Sequence, residues 1–240
     1  MMAKKTLIIG GASGIGFAVA RALAERGESL ILAGRDSEKL ARARQFLSQK
    51  KAAVNTVVLD ISKEEEVIQL SQTLGEVDNI IVTAGSHAPG GALTSLNLNE
   101  ARQAFDTKFW GSIHVARYLS KNIRPRGTLT LTSGFVSRRT VAGTIVKTTM
   151  NAALESAVKV LAKELSPLRV NAVSPGLTDT EAYAGMDPAA RKKMFASAAE
   201  NLPAKVFGRP EDIAKGYLFV MDNPFVTGTL LDIEGGALIN

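Results

Sequence analysis

The 240-residue chain contains no cysteine and only two histidines, His87 and His114. The absence of cysteine removes disulfide scaffolds, thiolate metal sites and cysteine nucleophiles together, and it fits a reducing compartment. With so little histidine, a zinc site would depend on carboxylate ligands. None stand at a suitable spacing, so no metal is expected. Aromatic residues make up only 5% of the chain, and no run approaches the ~18 apolar residues of a membrane span. Charge of one sign is not concentrated either: 29 Lys and Arg face 23 Asp and Glu, a net +6. The basic residues are spread out, with small clusters only at Arg138-Arg139 and Arg191-Lys192-Lys193. A nucleic-acid binder would gather that charge on one face or tail, so a solvated basic surface is expected and nucleic acid is not. Hydrophobic residues at 45% and charged residues at 22% exclude a disordered or fibrous chain. The length suits one domain over residues 1–240.

The N-terminus has the outline of a signal peptide: a basic start, an uncharged stretch over 6–20, and Ala22-Leu23-Ala24 in the manner of a cleavage site. Gly10, Gly11, Gly14 and Gly16 interrupt that stretch, which is needed to begin the fold. The expectation is therefore a soluble, cytoplasmic protein.

Short β-branched runs alternate with longer helical stretches. Strands are expected near 6–9, 29–33, 53–59, 79–83, 128–132, 169–173 and 229–233, and helices near 15–26, 37–50, 63–74, 100–122, 147–165 and 210–222. Runs such as Leu30-Ile31-Leu32 and Val57-Val58-Leu59 are continuously apolar, as strands covered on both faces should be. The alternation predicts an α/β fold of Rossmann type, with a doubly wound, seven-stranded parallel sheet flanked by helices on both faces. Residues 177–207, rich in Ala, Met and Lys with Pro188 and Pro203 inside, read as short helices forming a substrate lid over the carboxyl ends of the strands.

The first strand runs into Gly10-Gly11-Ala12-Ser13-Gly14-Ile15-Gly16, followed by a helix. Glycines there permit a tight turn and close approach of backbone to a pyrophosphate. The free N–H groups at the helix start then favour its charge. Gly10, Ser13, Gly14, Ile15 and Gly16 are the expected contacts. At the end of strand two, where an NAD site would place an acid for the ribose hydroxyl, Gly34 is followed by Arg35. A guanidinium suits a 2′-phosphate, so NADP(H) is favoured over NAD(H), with Asp36 as the residue that would favour NAD by turning inward.

From here the sequence resembles the short-chain dehydrogenase/reductase family over essentially its whole length. Leu59-Asp60-Ile61 resembles the segment that contacts the adenine ring, so Asp60 and Ile61 are implied there. Thr83-Ala84-Gly85 resembles the Asn-Ala-Gly turn after strand four, with Thr83 replacing asparagine. Residues 169–173 lead into Pro175-Gly176-Leu177-Thr178-Asp179-Thr180, similar to the turn beside the nicotinamide; Pro175, Gly176, Thr178 and Thr180 are implied cofactor contacts. Residues 208–214 and 227–236 resemble the C-terminal signature. The resemblance also implies a homodimer or homotetramer.

The family's catalytic set is a Ser, a Tyr-x-x-x-Lys pair and an Asn. Ser133 matches the serine. Lys147 falls at the tyrosine position, Asn151 at the lysine position and Lys108 at the asparagine position. None of Tyr118, Tyr183 or Tyr217 has a lysine four residues later. Carbonyl reduction needs a hydride donor, a hydrogen-bond donor at the developing oxyanion and a proton source. The nicotinamide would supply the first, Ser133 the second and Lys147, expected to contact the cofactor as well, the third. Asn151, one helical turn from Lys147, would bond the nicotinamide ribose, and Lys108 would add positive charge. Plainer roles stand beside these: Ser133 as a turn residue, and Lys147 and Lys108 as surface lysines. His87 is either a substrate contact or a polar loop residue. Arg138 and Arg139 either steer an anionic substrate or face water. Phe109 and Trp110 are expected in the core or an interface.

The function expected is NADP(H)-dependent reduction of a small carbonyl, or oxidation of the alcohol, through the altered set Ser133, Lys147, Asn151 and Lys108. A dinucleotide-binding sensor or regulatory partner without turnover is the alternative, since fold does not fix function. A Schiff-base enzyme using Lys147 is a third reading. Lid residues such as Tyr183 and Met186 indicate only an apolar pocket.

Overall fold

The apolar runs form β1 (Lys5–Ile9), β2 (Ser29–Gly34), β3 (Val54–Val58), β4 (Val77–Val82), β5 (Ile123–Thr132), β6 (Arg169–Pro175) and β7 (Leu230–Ile233). The structure is a computed structural model describing residues 3–50, 52–85 and 88–240. All adjacent strands pair in parallel, in the order β3-β2-β1-β4-β5-β6-β7. The doubly wound, seven-stranded parallel sheet expected from the alternation is therefore present.

Period-two alternation divides each strand between two cores. Leu7 and Ile9 pack on one face beneath α3 (Glu64–Thr73), α5 (Gly111–Leu119) and α6 (Ile145–Glu164). Ile8 packs on the other, beneath α1 (Gly14–Glu25), α2 (Ser37–Leu47) and α8 (Pro210–Asp222). The signal-like N-terminal stretch thus becomes β1 and α1, with Leu7, Ile8 and Ile9 buried. No helix among the described residues is long and apolar enough to cross a membrane.

Three elements differ from their sequence expectation. The stretch over 100–122 is not one helix. It begins earlier as α4 (Leu98–Phe105), capped by the Asn97 side chain, and passes through a π-helical turn, Asp106–Trp110, into α5. Such turns are rare and concentrate at functional sites, and this one carries Lys108. Strand β5 begins at Ile123, not near 128. Pro125, Gly127 and the left-handed Arg126 (φ 67°) read as a turn, but the structure accommodates them as an irregularity at the strand's start, opposite a register shift in β4. In the lid, Glu181–Tyr183 forms a short 3₁₀ turn. The rest is a full helix, α7 (Pro188–Asn201), started by Pro188 and the Asp187 cap.

Sheet order reverses direction on either side of β1, between β2 and β4. Open α/β sheets bind ligands in the crevice that opens at the carboxyl ends of the strands at this point.

Candidate active site

A cleft of about 850 Å³ opens there. It is lined by the glycine turn (Gly10, Ser13, Gly14, Ile15, Gly16), by Arg35, Asp36 and Lys39 after β2, and by Asp60 and Ile61 after β3. Thr83, Ala84 and Gly85 after β4, Thr107 and Lys147, and Thr180 to Tyr183 of the lid complete the lining. The sheet thus brings together on one surface most of the residues chosen from sequence for a dinucleotide.

Thr83 braces the glycine turn. Its Oγ1 donates to the Ile9 carbonyl at 3.1 Å, and a Cβ on Gly16 would lie 2.5 Å from that hydroxyl and 2.3 Å from Gly10 O. Only glycine fits this close approach. Ser13, the residue before α1, makes no side-chain cap, which leaves the first-turn amides open to a ligand. One of them, Gly14 N, donates at 2.7 Å to the carboxylate of Glu181 from the lid. The turn therefore already holds an anion's oxygen, and the donor set fits a phosphate.

Arg35 and Lys39 are exposed on the rim at the end of β2. Asp36 does not turn inward: it caps α2, accepting from Lys39 N at 2.9 Å. Burial pushes the Asp60 carboxyl up, but bonds from the Ser62 hydroxyl and amide, with the charges of Arg35 and Lys63, outweigh it and hold the group below the usual carboxylate range.

Six of the expected catalytic and cofactor residues lie outside the cleft lining: Lys108, Ser133, Asn151, Pro175, Gly176 and Thr178. Thr178 is buried and its hydroxyl donates to Gly176 O at 3.0 Å, closing the turn after β6. Pro175 and Gly176 support the same turn, with Gly176 against Glu234. Thr180 faces the cleft and caps the 3₁₀ turn, accepting from Ala182 N. Ser133 is also buried, and its hydroxyl is not free: it donates to Glu155 Oε1 at 2.5 Å. His87 lies outside the described residues.

Helix α6 explains this arrangement. Lys147, Asn151 and Glu155 are spaced by four and share one helical face. Lys147 is exposed in the cleft, whereas Asn151 and Glu155 are buried. The Oδ1 of Asn151 has no hydrogen-bond partner among the described residues. Glu155 accepts from Ser133 and Ser137 and pairs with Arg138 Nε at 3.3 Å. Arg138 also binds Asp232 and Ser174, so its guanidinium is tied to protein partners while the residue stays exposed. Phe109 packs against the core, while Trp110 is 50% exposed.

Lys108, on the π-helical turn, donates to the Ser133 carbonyl at 3.0 Å. Burial of its ammonium lowers its pKa to about 8, opposed by Glu155 and assisted by Lys147. Below pH 8 the group is charged in the folded and unfolded chains alike, so its burial penalty is present in full at neutral pH. Between about pH 8 and the ordinary 10.5 the unfolded chain binds more protons, and the stability this group sets rises with pH. Lys108→Met is therefore expected to raise the melting temperature at pH 7, with the gain shrinking as pH approaches 10. Thermal unfolding at the two pH values checks it. A variant less stable than wild type at pH 7 would mean that the bond to Ser133 outweighs the burial penalty.

Sequence reasoning missed Glu155 and Glu181. Glu155 had a usable signal, a lone carboxylate within the apolar Ala152–Val158 portion of a helix. Glu181 had none.

The sequence profile of a family described as Enoyl-(Acyl carrier protein) reductase matches residues 10–237. The short-chain dehydrogenase/reductase ATR9 of Stachybotrys chlorohalonatus is 32% identical, covering 97% of this chain and 96% of its own. The chain is a short-chain dehydrogenase/reductase. This short-chain dehydrogenase/reductase is also 31% identical to carbonyl reductase family member 4 of Danio rerio, over 98% of both chains. A small-chain dehydrogenase crystallised in complex with NADPH superposes with a TM-score of 0.85, at 41% identity over 99% of this chain and all of that one. By family the chain is an oxidoreductase.

Proposed function

We propose that this short-chain dehydrogenase/reductase uses NADP(H) to reduce a small carbonyl, with Lys147 as the proton donor. The observation that carries the reading is that Lys147 and the anion-binding glycine turn line one cleft, with Arg35 and Lys39 at its rim. A 41%-identical neighbour holds NADPH, which supports the same cofactor here. Bound in this cleft, NADPH would supply the hydride.

The chain's own residues would divide the remaining work. Gly14 and Ile15 present amides to the pyrophosphate, and Arg35 and Lys39 meet the 2′-phosphate with charge-assisted bonds. Asp60 and Ile61 border the adenine, and Ala84, Gly85 and Thr180 the nicotinamide end. The unpartnered Oδ1 of Asn151 is a ready acceptor for a ribose hydroxyl. Lys147 directs its ammonium at the carbonyl oxygen, where it serves as oxyanion donor and then gives up a proton. Lys108 adds a fixed positive charge beneath Ser133. Ser133 would reach the oxyanion only by releasing Glu155. The family resemblance further supports a homo-oligomer.

That engagement of Ser133 by Glu155 favours a second reading, a dinucleotide-binding sensor without turnover. NADPH oxidation with pooled aldehydes, ketones and quinones separates the two, after NADPH binding has been confirmed by fluorescence. Turnover supports the reductase. Tight binding with no turnover across the pool supports the sensor.

Arg35→Ser tests the cofactor assignment. Losing charge-assisted bonds worth ~1.5–3 kcal/mol predicts a roughly 10- to 100-fold weaker NADPH Kd, with NADH binding little changed. Equal effects on both dinucleotides would remove Arg35 from the 2′-phosphate.

A further inference from the structure

The contact between Glu181 and the glycine turn joins two parts of the chain 167 residues apart. Glu181 Oε2 accepts from Gly14 N at the first position of α1, and Glu181 and Thr180 are the groups nearest to where a Gly14 side chain would project. The amides and dipole of this 12-residue helix make its start attractive to an anion. A pyrophosphate and the Glu181 carboxylate cannot both occupy it, because they would compete for one donor and repel each other.

The lid behind Glu181 is braced as a unit. Arg191 of α7 donates to the Asp179 carboxylate at 2.9 Å and to the Thr180 carbonyl at 3.0 Å. Tyr183 packs edge-on against Phe195 of α7, with ring centroids 5.3 Å apart, and Phe195 packs on Phe207. The 179–183 segment and α7 are therefore tied together, with the Asp179 amide donating to the Gly208 carbonyl at 2.9 Å as the anchor at the segment's start. Within the lid, Glu181 is the side chain hydrogen-bonded to the glycine turn among the described residues.

We propose that Glu181 is an intramolecular latch: its carboxylate stands in for a phosphate at the start of α1 and holds the lid against the glycine turn until the dinucleotide displaces it. The proposal rests on the NADP(H) reading above. Cofactor entry and lid release become one coupled event, and apparent affinity is lowered by the fraction of molecules latched. Because the contact is exposed, the effect is modest.

The test combines NADPH titration, followed by nucleotide fluorescence, with amide hydrogen exchange at Gly14 in the full chain without nucleotide. Wild type, Glu181→Gln and Glu181→Ala are compared. Glu181→Ala is expected to tighten NADPH binding about 3- to 10-fold and to speed exchange of the Gly14 amide. Glu181→Gln, which keeps an acceptor but no charge, should fall between. Unchanged or weaker binding in Glu181→Ala overturns the latch. So does tighter binding with unchanged Gly14 exchange, which would be simple charge repulsion without a closed contact. If neither NADPH nor NADH binds to any variant, the cofactor reading fails and the latch with it. Binding that is independent of residue 181 removes the latch alone.

Discussion

Lys147→Ala is expected to lower kcat for carbonyl reduction by roughly 10²- to 10⁴-fold, the range contributed by a positioned general acid. NADPH affinity should change by less than about threefold, since Lys147 acts on the substrate oxygen and not on the cofactor phosphates. The geometry concentrates this effect on one residue. Lys147 is exposed in the cleft, whereas the Ser133 hydroxyl donates to Glu155 and the Lys108 ammonium donates to the Ser133 carbonyl. No tyrosine lies in the position the family uses, and Tyr183, which lines the cleft, sits on the lid. Stopped-flow measurement of NADPH oxidation, beside fluorescence titration of the cofactor, separates the two quantities. Full turnover in Lys147→Ala would transfer the proton-donor role elsewhere, with Tyr183 as the next candidate. Loss of NADPH binding together with turnover would instead make Lys147 a cofactor ligand.

Glu155→Ala is expected to be the most destabilising single change near the site, by about 3 kcal/mol. Glu155 has a side chain only 8% exposed and pairs with Arg138, itself 35% exposed. Removing it also leaves the Ser133 and Ser137 hydroxyls without their acceptor and takes a counter-charge from Lys108. A buried pair broken on one side costs about 3–5 kcal/mol. The lower end applies here because Arg138 keeps Asp232 and some contact with water. In a chain of this length that corresponds to a fall in melting temperature of roughly 6–12 °C. Glu155→Gln, which still accepts from both serines, should lose less than half as much. Thermal unfolding by circular dichroism gives both values. A Glu155→Ala variant within about 1 kcal/mol of wild type would mean that the serines and Arg138 find new partners without it.

Strand and helix alternation, the glycine turn and Arg35 were legible in the sequence because each depends on neighbouring residues: an apolar run long enough for a covered strand, a turn that backbone sterics restrict to glycine, a side chain at a strand's end. The parallel sheet followed from those local patterns, and with it the place of the cleft. Local patterns failed where a longer-range contact overrode them. Pro125 and Gly127 hid the start of β5, which pairing with β4 draws into the sheet. The single helix expected over 100–122 gave way to a π-helical turn, with Gly111 tight against Ile61. Only the tertiary structure decided how the candidate catalytic side chains are used. Ser133 and Glu155 are 22 residues apart, and Gly14 and Glu181 are 167 apart. Which hydroxyl is free and which amide is occupied depends on the sheet and lid bringing those groups together. A polar group takes whichever partner the fold puts within reach, and residue type at a motif position carries no record of that choice.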